Sequence, residues 1–488
     1  MSLVSLAAWG VRKIAVRSGR RLKKKGSAPA IPEAQPVRLQ GENFIVGFAR
    51  RETMPGDVTN PCGGNAKKYW MAGFKTGNRV TGVHDPMTVS AMWIGCGAIA
   101  ARGGGGILLV SADCIGLSRC EVNRVRESLA AFARQSNCKS INISCTHTHA
   151  GIDTLGYWGK AKYGPIPGDG KDPAFMDMFL KSIQNACVEA YENRREGKLF
   201  TGSVHVPEAV SEGRKPTVPR DVLGRIRFVP DDGSAETWLL NFGAHPNTLG
   251  KQNANVSADY PYYLREKINE IRETNVLFTA GAIASINAGG YGSDDRFERT
   301  VLQGETLAAA ALSIDNDEQL EPGITVLCQP YYSPIDNGVL ALMGLLKIIN
   351  AEKYPCDQGD LGVALQTELT YIRLGKQPIL LLPGEMKPEL AFGGYAPAET
   401  SATGLGAEIN PPPLCEIAGD ENLLVFGVTN DMTGYIIAPN DFMLHETAPY
   451  LDKGKGRHGS NHYHETNSLG FLTAETIADT FNKMMGRI

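Results

Sequence analysis

Residues 140–151 read SINISCTHTHAG, an apolar run that leads into two histidines two positions apart. The run 140–145 has the composition of a buried strand, and side chains two apart along a strand face the same side. If the strand continues, His147 and His149 therefore share one face at its end. Two imidazoles in that arrangement can ligate a metal, or one can ligate while the other binds substrate. A pair of surface histidines without chemistry is the plain alternative.

The rest of the chain alternates strand-like apolar runs with helix-like periodic stretches. This predicts an α/β fold of mixed, partly antiparallel β-sheets flanked by helices. No repeat and no clean linker interrupts the body, so we predict one large catalytic domain over 41–488, after a basic amphipathic segment (1–25) and a Pro-rich linker (26–40). The predicted helices are Arg119–Gln135, Pro173–Glu192, Tyr260–Arg272, Leu302–Ser313 and Ala474–Met485.

Three further strand-like runs end in groups that can coordinate a metal. His245 follows the run 238–242, Glu385 follows 379–382 and a Pro-Gly turn, and the stretch 429–435 with Tyr435 follows 423–428. Functional residues of α/β folds collect on such strand-end loops. Each residue alone is a weak signal, whereas the four strand ends together predict a metal-dependent hydrolase.

The composition excludes several classes of protein. A net charge of −3 over 488 residues argues against a nucleic-acid-binding protein. The ten cysteines contain no Cys-x-x-Cys pair, which argues against a zinc ribbon. Several lie in apolar runs, as buried free thiols do in a reducing compartment. We predict a cytoplasmic protein without a recognisable signal peptide, with peripheral membrane attachment as an extension of that prediction.

The N-terminal segment 1–25 has an apolar stretch at 2–11 followed by eight cations at 12–25. A secretory signal has the opposite order. On a helix, the side chains of Val4, Ala8, Val11, Ala15 and Leu22 fall near one face, which is typical of a segment lying on an anionic membrane. A disordered extension, or an arm that docks on a partner subunit, fits equally well.

Two other stretches invite interpretation. Residues 338–350 (GVLALMGLLKIIN) are nearly all apolar and predict either a buried helix or a hydrophobic flap beside an apolar substrate. The histidine-rich stretch 456–468 contains His458, His462, His464 and Glu465, and it is predicted to be an ordinary loop at the rim of a site rather than a metal-binding tail.

Four ordered motifs resemble the neutral/alkaline non-lysosomal ceramidase family over about residues 41–485. They are THTHAG at 146–151, NFGAHPNTLG at 241–250 with SADYPYYLREKI at 257–268, LPGE at 382–385, and TNDMTGYIIAPNDF at 429–442. The resemblance implies a zinc amidohydrolase that acts on an N-acylated, lipid-like substrate. It implies that His147, His245, Glu385 and Tyr435 hold Zn²⁺, and that His149 and Arg214 contact the substrate or its developing oxyanion.

The chain departs from the family at the catalytic serine. The family's Gly-Asp-Val-Ser-Pro-Asn is matched by ASINAG at 284–289, which places Asn287 at the serine; a shifted match would place Ser285 there. Asparagine cannot be the nucleophile but can hold a water or a substrate amide. We therefore predict hydrolysis by metal-activated water. A soluble, non-lipid amide or ester substrate, and a catalytically silent protein that binds zinc or lipid, are the alternatives.

Overall fold

The computed structural model describes residues 3–59, 68–97, 104–163, 166–213, 220–349 and 351–488. Two mixed β-sheets pack face to face, and helices cover the outer face of each. The predicted α/β class, with mixed sheets and flanking helices in one domain, is confirmed.

The large sheet has nine strands among the described residues. In spatial order they are Thr274–Ala280, Glu236–Phe242, Val222–Pro230, Arg195–His205, Phe44–Glu52, Thr88–Cys96, Gly106–Ala112 and Cys138–Cys145, with Glu318–Gln319 also pairing with Arg195–His205. The first two pair in parallel, as do the last two of the ordered strands, and the pairs between are antiparallel.

The small sheet has six described strands. In spatial order they are Val37–Gln40, Gly323–Pro334, Val363–Leu374, Gln377–Leu381 and Leu424–Phe426, with Lys353–Pro355 also pairing with Val363–Leu374. Only Gln377–Leu381 and Leu424–Phe426 are parallel neighbours within it. The strand at 37–40 lies in the stretch that the sequence assigned to the linker, so the globular body begins earlier than expected.

Short elements complete the description. Two-stranded pairs are formed by Val210–Glu212 with Ile286–Ala288, Gly82–Val83 with Asn255–Val256, Glu385–Met386 with Tyr435–Ile436, Gly454–Lys455 with Asn461–His462, and Gly159–Tyr163 with Ile166–Gly168. The helices are Leu3–Lys24, Gly56–Thr59, Arg119–Ser128, Ala130–Gln135, Pro173–Glu192, Tyr260–Ile271, Arg296–Ser313, Gly338–Leu345, Pro388–Phe392, Leu414–Ala418 and Thr473–Met485.

Alternation along each strand divides its side chains between two cores. In Thr88–Cys96, Met92 and Ile94 face the small sheet, whereas Ala91 and Trp93 face the helix Pro173–Glu192. Because both faces are apolar, such a strand reads as a continuous hydrophobic run rather than as an alternating one. This strand was absent from the sequence prediction for that reason.

Capping residues explain where the helices begin. Pro173–Glu192 starts as predicted, since the Asp172 side chain accepts a hydrogen bond from the Phe175 amide and a proline opens the first turn. The predicted helix Leu302–Ser313 begins earlier, at Arg296, because Asp295 caps it. The predicted helix Arg119–Gln135 is two helices that meet at Leu129.

The N-terminal helix Leu3–Lys24 packs on the body beside Gly338–Leu345. Its Ala8 and Ala15 are buried, and Val11 and Leu22 are half-buried. A membrane-facing side was one of three interpretations of these residues from the sequence; here these four contact protein, and Val4 is 44% exposed. Among the described residues, no helix combines the length and hydropathy that a membrane span requires.

A buried ion pair joins the large sheet to the helix Tyr260–Ile271. Asp113, directly after the strand Gly106–Ala112, accepts two hydrogen bonds from Arg265, at 2.7 and 3.0 Å. It also accepts from the amide and hydroxyl of Thr88, at 2.9 and 2.8 Å. The side chains of Asp113 and Arg265 are 1% and 3% exposed, so neither can turn to water if its partner is removed.

We expect Asp113→Ala to lower the free energy of unfolding by about 3–5 kcal/mol, because it leaves the Arg265 guanidinium buried without its carboxylate. Chemical denaturation followed by circular dichroism measures the change. The control is Asp294→Ala, since the Asp294 side chain is fully exposed and its substitution should alter stability by no more than about 0.5 kcal/mol. Equal stabilities of the two variants would contradict a structural role for the pair.

Candidate active site

The ends of three parallel strand pairs meet at one edge of the two packed sheets. The Gly427 amide donates to the Ala280 carbonyl, and the Cys145 amide donates to the Val428 carbonyl, so loops from both sheets are joined there. Ser144 and Thr429 also form a bridge, with their hydroxyls 2.8 Å apart. This convergence brings together the four strand-end segments that the sequence singled out.

Backbone carbonyls fix the rings of His147 and His245. His147 has a positive φ of 66°, and its Nδ1 lies 2.7 Å from the Ile115 carbonyl oxygen. His245 Nδ1 lies 2.9 Å from the Ile286 carbonyl oxygen. A carbonyl can only accept, so each Nδ1 carries a hydrogen, and Nε2 is the ring atom that faces the other residues of the site. Metal-binding histidines are commonly oriented in this way.

The Glu385 carboxylate faces both of these histidines. Its Oε2 lies 2.9 Å from His245 Nε2 and 3.4 Å from His147 Nε2. Burial alone would raise the pKa of Glu385, but the contacts with His147 and His245 outweigh it and hold that pKa well below its ordinary value. The buried site thus brings one carboxylate oxygen close to the Nε2 atoms of two imidazoles. A carboxylate oxygen and two imidazole nitrogens are a set of ligand atoms that could hold a metal ion.

His149 joins the same cluster but is held less firmly. Its Nε2 lies 3.2 Å from His147 Nε2, and the ligand atoms of His147, His149 and His245 all lie within 4.8 Å of one another. Burial, followed by the charges of the other two histidines, places the pKa of His149 well below its ordinary value. Its Nδ1 lies beside Gly73 but makes no hydrogen bond of ordinary geometry within the described structure. The three histidines could hold a metal ion.

Tyr435 reaches the cluster through a short parallel pairing with Glu385. Burial first, and then the neighbouring Glu385 carboxylate, raise the pKa of Tyr435 well above its ordinary value. The Tyr435 ring stacks on the His464 ring, with centroids 4.1 Å apart. His464 is buried and opens the 3₁₀ turn His464–Asn467, and its stacking on Tyr435 had no sequence signal.

The two candidates for the serine position, Ser285 and Asn287, flank Ile286, whose carbonyl oxygen orients His245. Ser285 has a positive φ of 71°, is buried, and its Oγ has no hydrogen-bond partner among the described residues. Asn287 accepts a hydrogen bond from the Asn247 side chain at 3.1 Å and pairs with His245 through a parallel bridge. Arg214 lies outside the described residues.

A cavity of about 620 Å³ opens onto the cluster. His147, His149, Glu385 and Tyr435 contribute to its lining, whereas Ser285 and Asn287 are not among its described lining residues. The rest of the lining is mixed. It includes apolar side chains, among them Phe74, Leu155, Trp158, Ile335, Leu340 and Met343, and charged ones, among them Arg119, Arg124, Glu127, Glu352, Lys353 and Asp431. The volume suits a small molecule or part of a lipid chain with a polar group.

Solved structures share this architecture. The neutral ceramidase from Pseudomonas aeruginosa superposes with a TM-score of 0.66, at 15% sequence identity, over 91% of this chain and 74% of that chain. The chain has the neutral ceramidase fold. A ceramidase described as complexed with C2 gives a TM-score of 0.64 at 14% identity, over 91% of this chain and 76% of the other. No protein-family model and no curated protein matches the sequence.

On this ceramidase fold, the structure brings five of the sequence-predicted residues together. His147, His149, Glu385 and Tyr435 line the cavity, and His245 contacts Glu385. Ser285 and Asn287 lie beside this group. The backbone carbonyls that orient the histidines were missed by sequence reasoning, because a main-chain carbonyl has no sequence signature.

Proposed function

We propose that the protein is a zinc-dependent hydrolase of an amide bond in an N-acylated, lipid-like substrate. The observation that supports this most is the convergence of His147 and His245 on the Glu385 carboxylate, which lines the cavity. The ceramidase fold supports the same proposal, because it presents strand-end loops from two sheets to one site.

In this proposal His147, His245 and Glu385 hold the metal, and Tyr435 completes the site. When bound, Zn²⁺ would supply Lewis acidity and lower the pKa of a water molecule to about 7. His147 and His245 are suited to this role because their Nδ1 hydrogens are already engaged by carbonyls. His149 lacks such an anchor and borders the cavity, so we assign it to the substrate rather than to the metal.

The side chains themselves account for binding and charge stabilisation. With its pKa held low, His149 stays neutral and can donate one N–H to the amide oxygen as negative charge develops there. Arg214 is a second candidate for this contact, proposed from the sequence resemblance alone. The apolar cavity wall would bind the acyl chain and exclude water from it.

Ser285 is not a nucleophile in this proposal. An activated serine needs a base within hydrogen-bond reach, and among the described residues Ser285 Oγ has no partner. We expect Ser285→Ala to keep its metal and to retain turnover within about threefold of the wild type, whereas loss of a nucleophile costs several orders of magnitude. Turnover of an N-acyl amide by the purified variant measures this, with the metal content determined in the same sample.

A collapse of turnover in Ser285→Ala with the metal still bound would instead identify Ser285 as the family's serine. Asn287→Ala is the companion variant, because the ungapped match puts this residue at the serine position. An amide that positions water or substrate should affect turnover by about 10- to 100-fold rather than abolish it.

The experiment that tests the proposed function is a hydrolysis assay over a small panel of substrates. It compares a long-chain N-acyl amide, a short-chain N-acyl amide and an ester of the same acid. We expect cleavage of the amides, with preference for the long chain. Cleavage of the ester alone would favour the soluble esterase alternative. Metal binding with no cleavage of any substrate would favour the silent binding protein.

A further inference from the structure

The N-terminal helix Leu3–Lys24 packs on the protein body with small side chains, whereas an ordinary amphipathic helix packs with its large apolar ones. Small residues face inward: Ser5, Ala8, Ala15 and Gly19 are buried. Gly19 lies so close to the body that a Cβ there would overlap the carbonyl oxygen of Leu361. Large apolar side chains face outward instead. A helix that only covers the body would be expected to bury them.

The outward apolar side chains lie in the first half of the helix. Leu6, Trp9 and Ile14 are 53%, 52% and 48% exposed. We call the exposed side of Leu3–Lys24, with these three residues, the outer face. The outer face also carries cations, which become dense toward the C-terminal end of the helix: Lys13, Arg17, Arg20, Arg21 and Lys24.

The charge on the outer face is not balanced locally. The first acidic residue of the chain is Glu33, and none of the five cations forms an ion pair with a described carboxylate. Two other cations, Arg12 and Lys23, pair with Asp360 and Asp357 at 2.7 and 3.0 Å and fasten the helix to the body. Exposed large apolar groups beside unpaired cations are complementary to the surface of an anionic bilayer.

The helix lies behind the cavity wall. Ala15 belongs to a buried cluster with Ile335, Ala341 and Leu365, and the last three also line the cavity. The neighbouring segment at 338–349 contains two exposed leucines, Leu345 and Leu346, which are 40% and 50% exposed. Gly338, Ala341 and Met343 of this segment are buried, as the buried-helix interpretation of the sequence expects, and the flap beside a substrate stays a prediction.

We propose that the outer face docks the protein on an anionic lipid bilayer, next to the cavity that receives the substrate. It consists of other side chains than Ala8, Val11, Ala15 and Leu22, which the membrane interpretation of the sequence had placed on the lipid side. One part of this inference rests on the proposed function, namely that the substrate is taken from the bilayer. The docking itself requires only the helix and the lipid.

Co-sedimentation of the full chain with vesicles tests the proposal. The vesicles contain equimolar phosphatidylcholine and phosphatidylserine, and pure phosphatidylcholine vesicles serve for comparison. We expect the wild type to bind the mixed vesicles, and salt to weaken that binding steeply. Absence of binding by the wild type to the mixed vesicles, or binding that is equally strong to pure phosphatidylcholine, would overturn the proposal.

Two variants divide the apolar and electrostatic contributions. Replacing Arg17, Arg20 and Arg21 by glutamate should weaken binding to the mixed vesicles by at least about 100-fold. Replacing Leu6, Trp9 and Ile14 by serine should weaken it by at least about 10-fold. The matched control replaces three exposed lysines outside the helix, at positions 139, 251 and 483, by glutamate. Equal binding of all three variants would overturn the assignment to the outer face.

Two further measurements separate the other outcomes. Hydrolysis of a soluble short-chain amide should be unchanged in the outer-face variants, whereas hydrolysis of a vesicle-embedded amide should fall. If the wild type binds vesicles but cleaves nothing, the docking stands and the proposed function fails. If light scattering shows a dimer that the outer-face variants dissociate, and vesicles are not bound, the face serves a second copy and the docking proposal is overturned.

Discussion

Replacing His245 by alanine is expected to remove the bound metal and to reduce hydrolysis by at least about 1,000-fold. His245 Nε2 lies 2.9 Å from Glu385 Oε2, and its ring is fixed by the Ile286 carbonyl. Loss of one of three protein donors lowers metal affinity by orders of magnitude, and turnover falls with it.

Elemental analysis of dialysed protein measures the metal, and turnover of an N-acyl amide measures the activity. The matched control is His458→Ala, because His458 is exposed and its Nε2 lies 3.1 Å from the Glu399 carbonyl oxygen, outside the metal cluster. The control should keep the metal and the activity of the wild type. Full zinc occupancy in His245→Ala would contradict the assignment of His245 as a metal ligand.

Replacing His149 by alanine is expected to separate catalysis from metal binding. We expect the variant to keep its metal, because His147, His245 and Glu385 are oriented without His149. Turnover should fall by about 100- to 1,000-fold, since a hydrogen-bond donor to the developing oxyanion is lost. The KM should change little if His149 acts mainly in the transition state.

The competing assignment makes His149 a metal ligand, as the closeness of the three histidines permits. Under that assignment His149→Ala would lose the metal as His245→Ala does. His149→Gln adds a second comparison, because glutamine keeps a hydrogen-bond donor but lacks the imidazole. Partial recovery of turnover in His149→Gln with full metal content would support the substrate-contacting role.

Strand-end position was the most informative feature of the sequence. His147, His245 and Glu385 each follow an apolar run, and the parallel strands deliver them to one edge of the packed sheets. The fold class could be predicted for the same reason, since strands and amphipathic helices are encoded by local periodicity. Pairing between strands distant in sequence is not local, so neither the division into two sheets nor their order could be read from the chain.

The N-terminal helix shows why burial is harder to predict than helicity. In one interpretation, hydropathy placed Ala8 and Ala15 on a membrane face. It could not show that the body lies so close to the helix axis that only small side chains fit between them. Gly19 against Leu361 is the clearest case, because the fit depends on a backbone carbonyl. The strand Thr88–Cys96 failed for a related reason, since burial on both faces removes the alternation that marks a strand.

The cytoplasmic location stays a prediction. Nine cysteines in the described part of the chain are free thiols, which agrees with a reducing compartment but does not identify one. Binding to a bilayer through the outer face would be compatible with it, because phosphatidylserine-rich surfaces face the cytoplasm.

Removal and return of the metal in the wild-type protein tests the central claim most directly. The protein is stripped with a chelator, dialysed, and assayed on an N-acyl amide while zinc is added back in measured amounts. We predict loss of hydrolysis on stripping and recovery that saturates at about one zinc per chain. Hydrolysis that continues at the original rate in the metal-free protein would contradict the assignment of His147, His245 and Glu385 as a catalytic metal site.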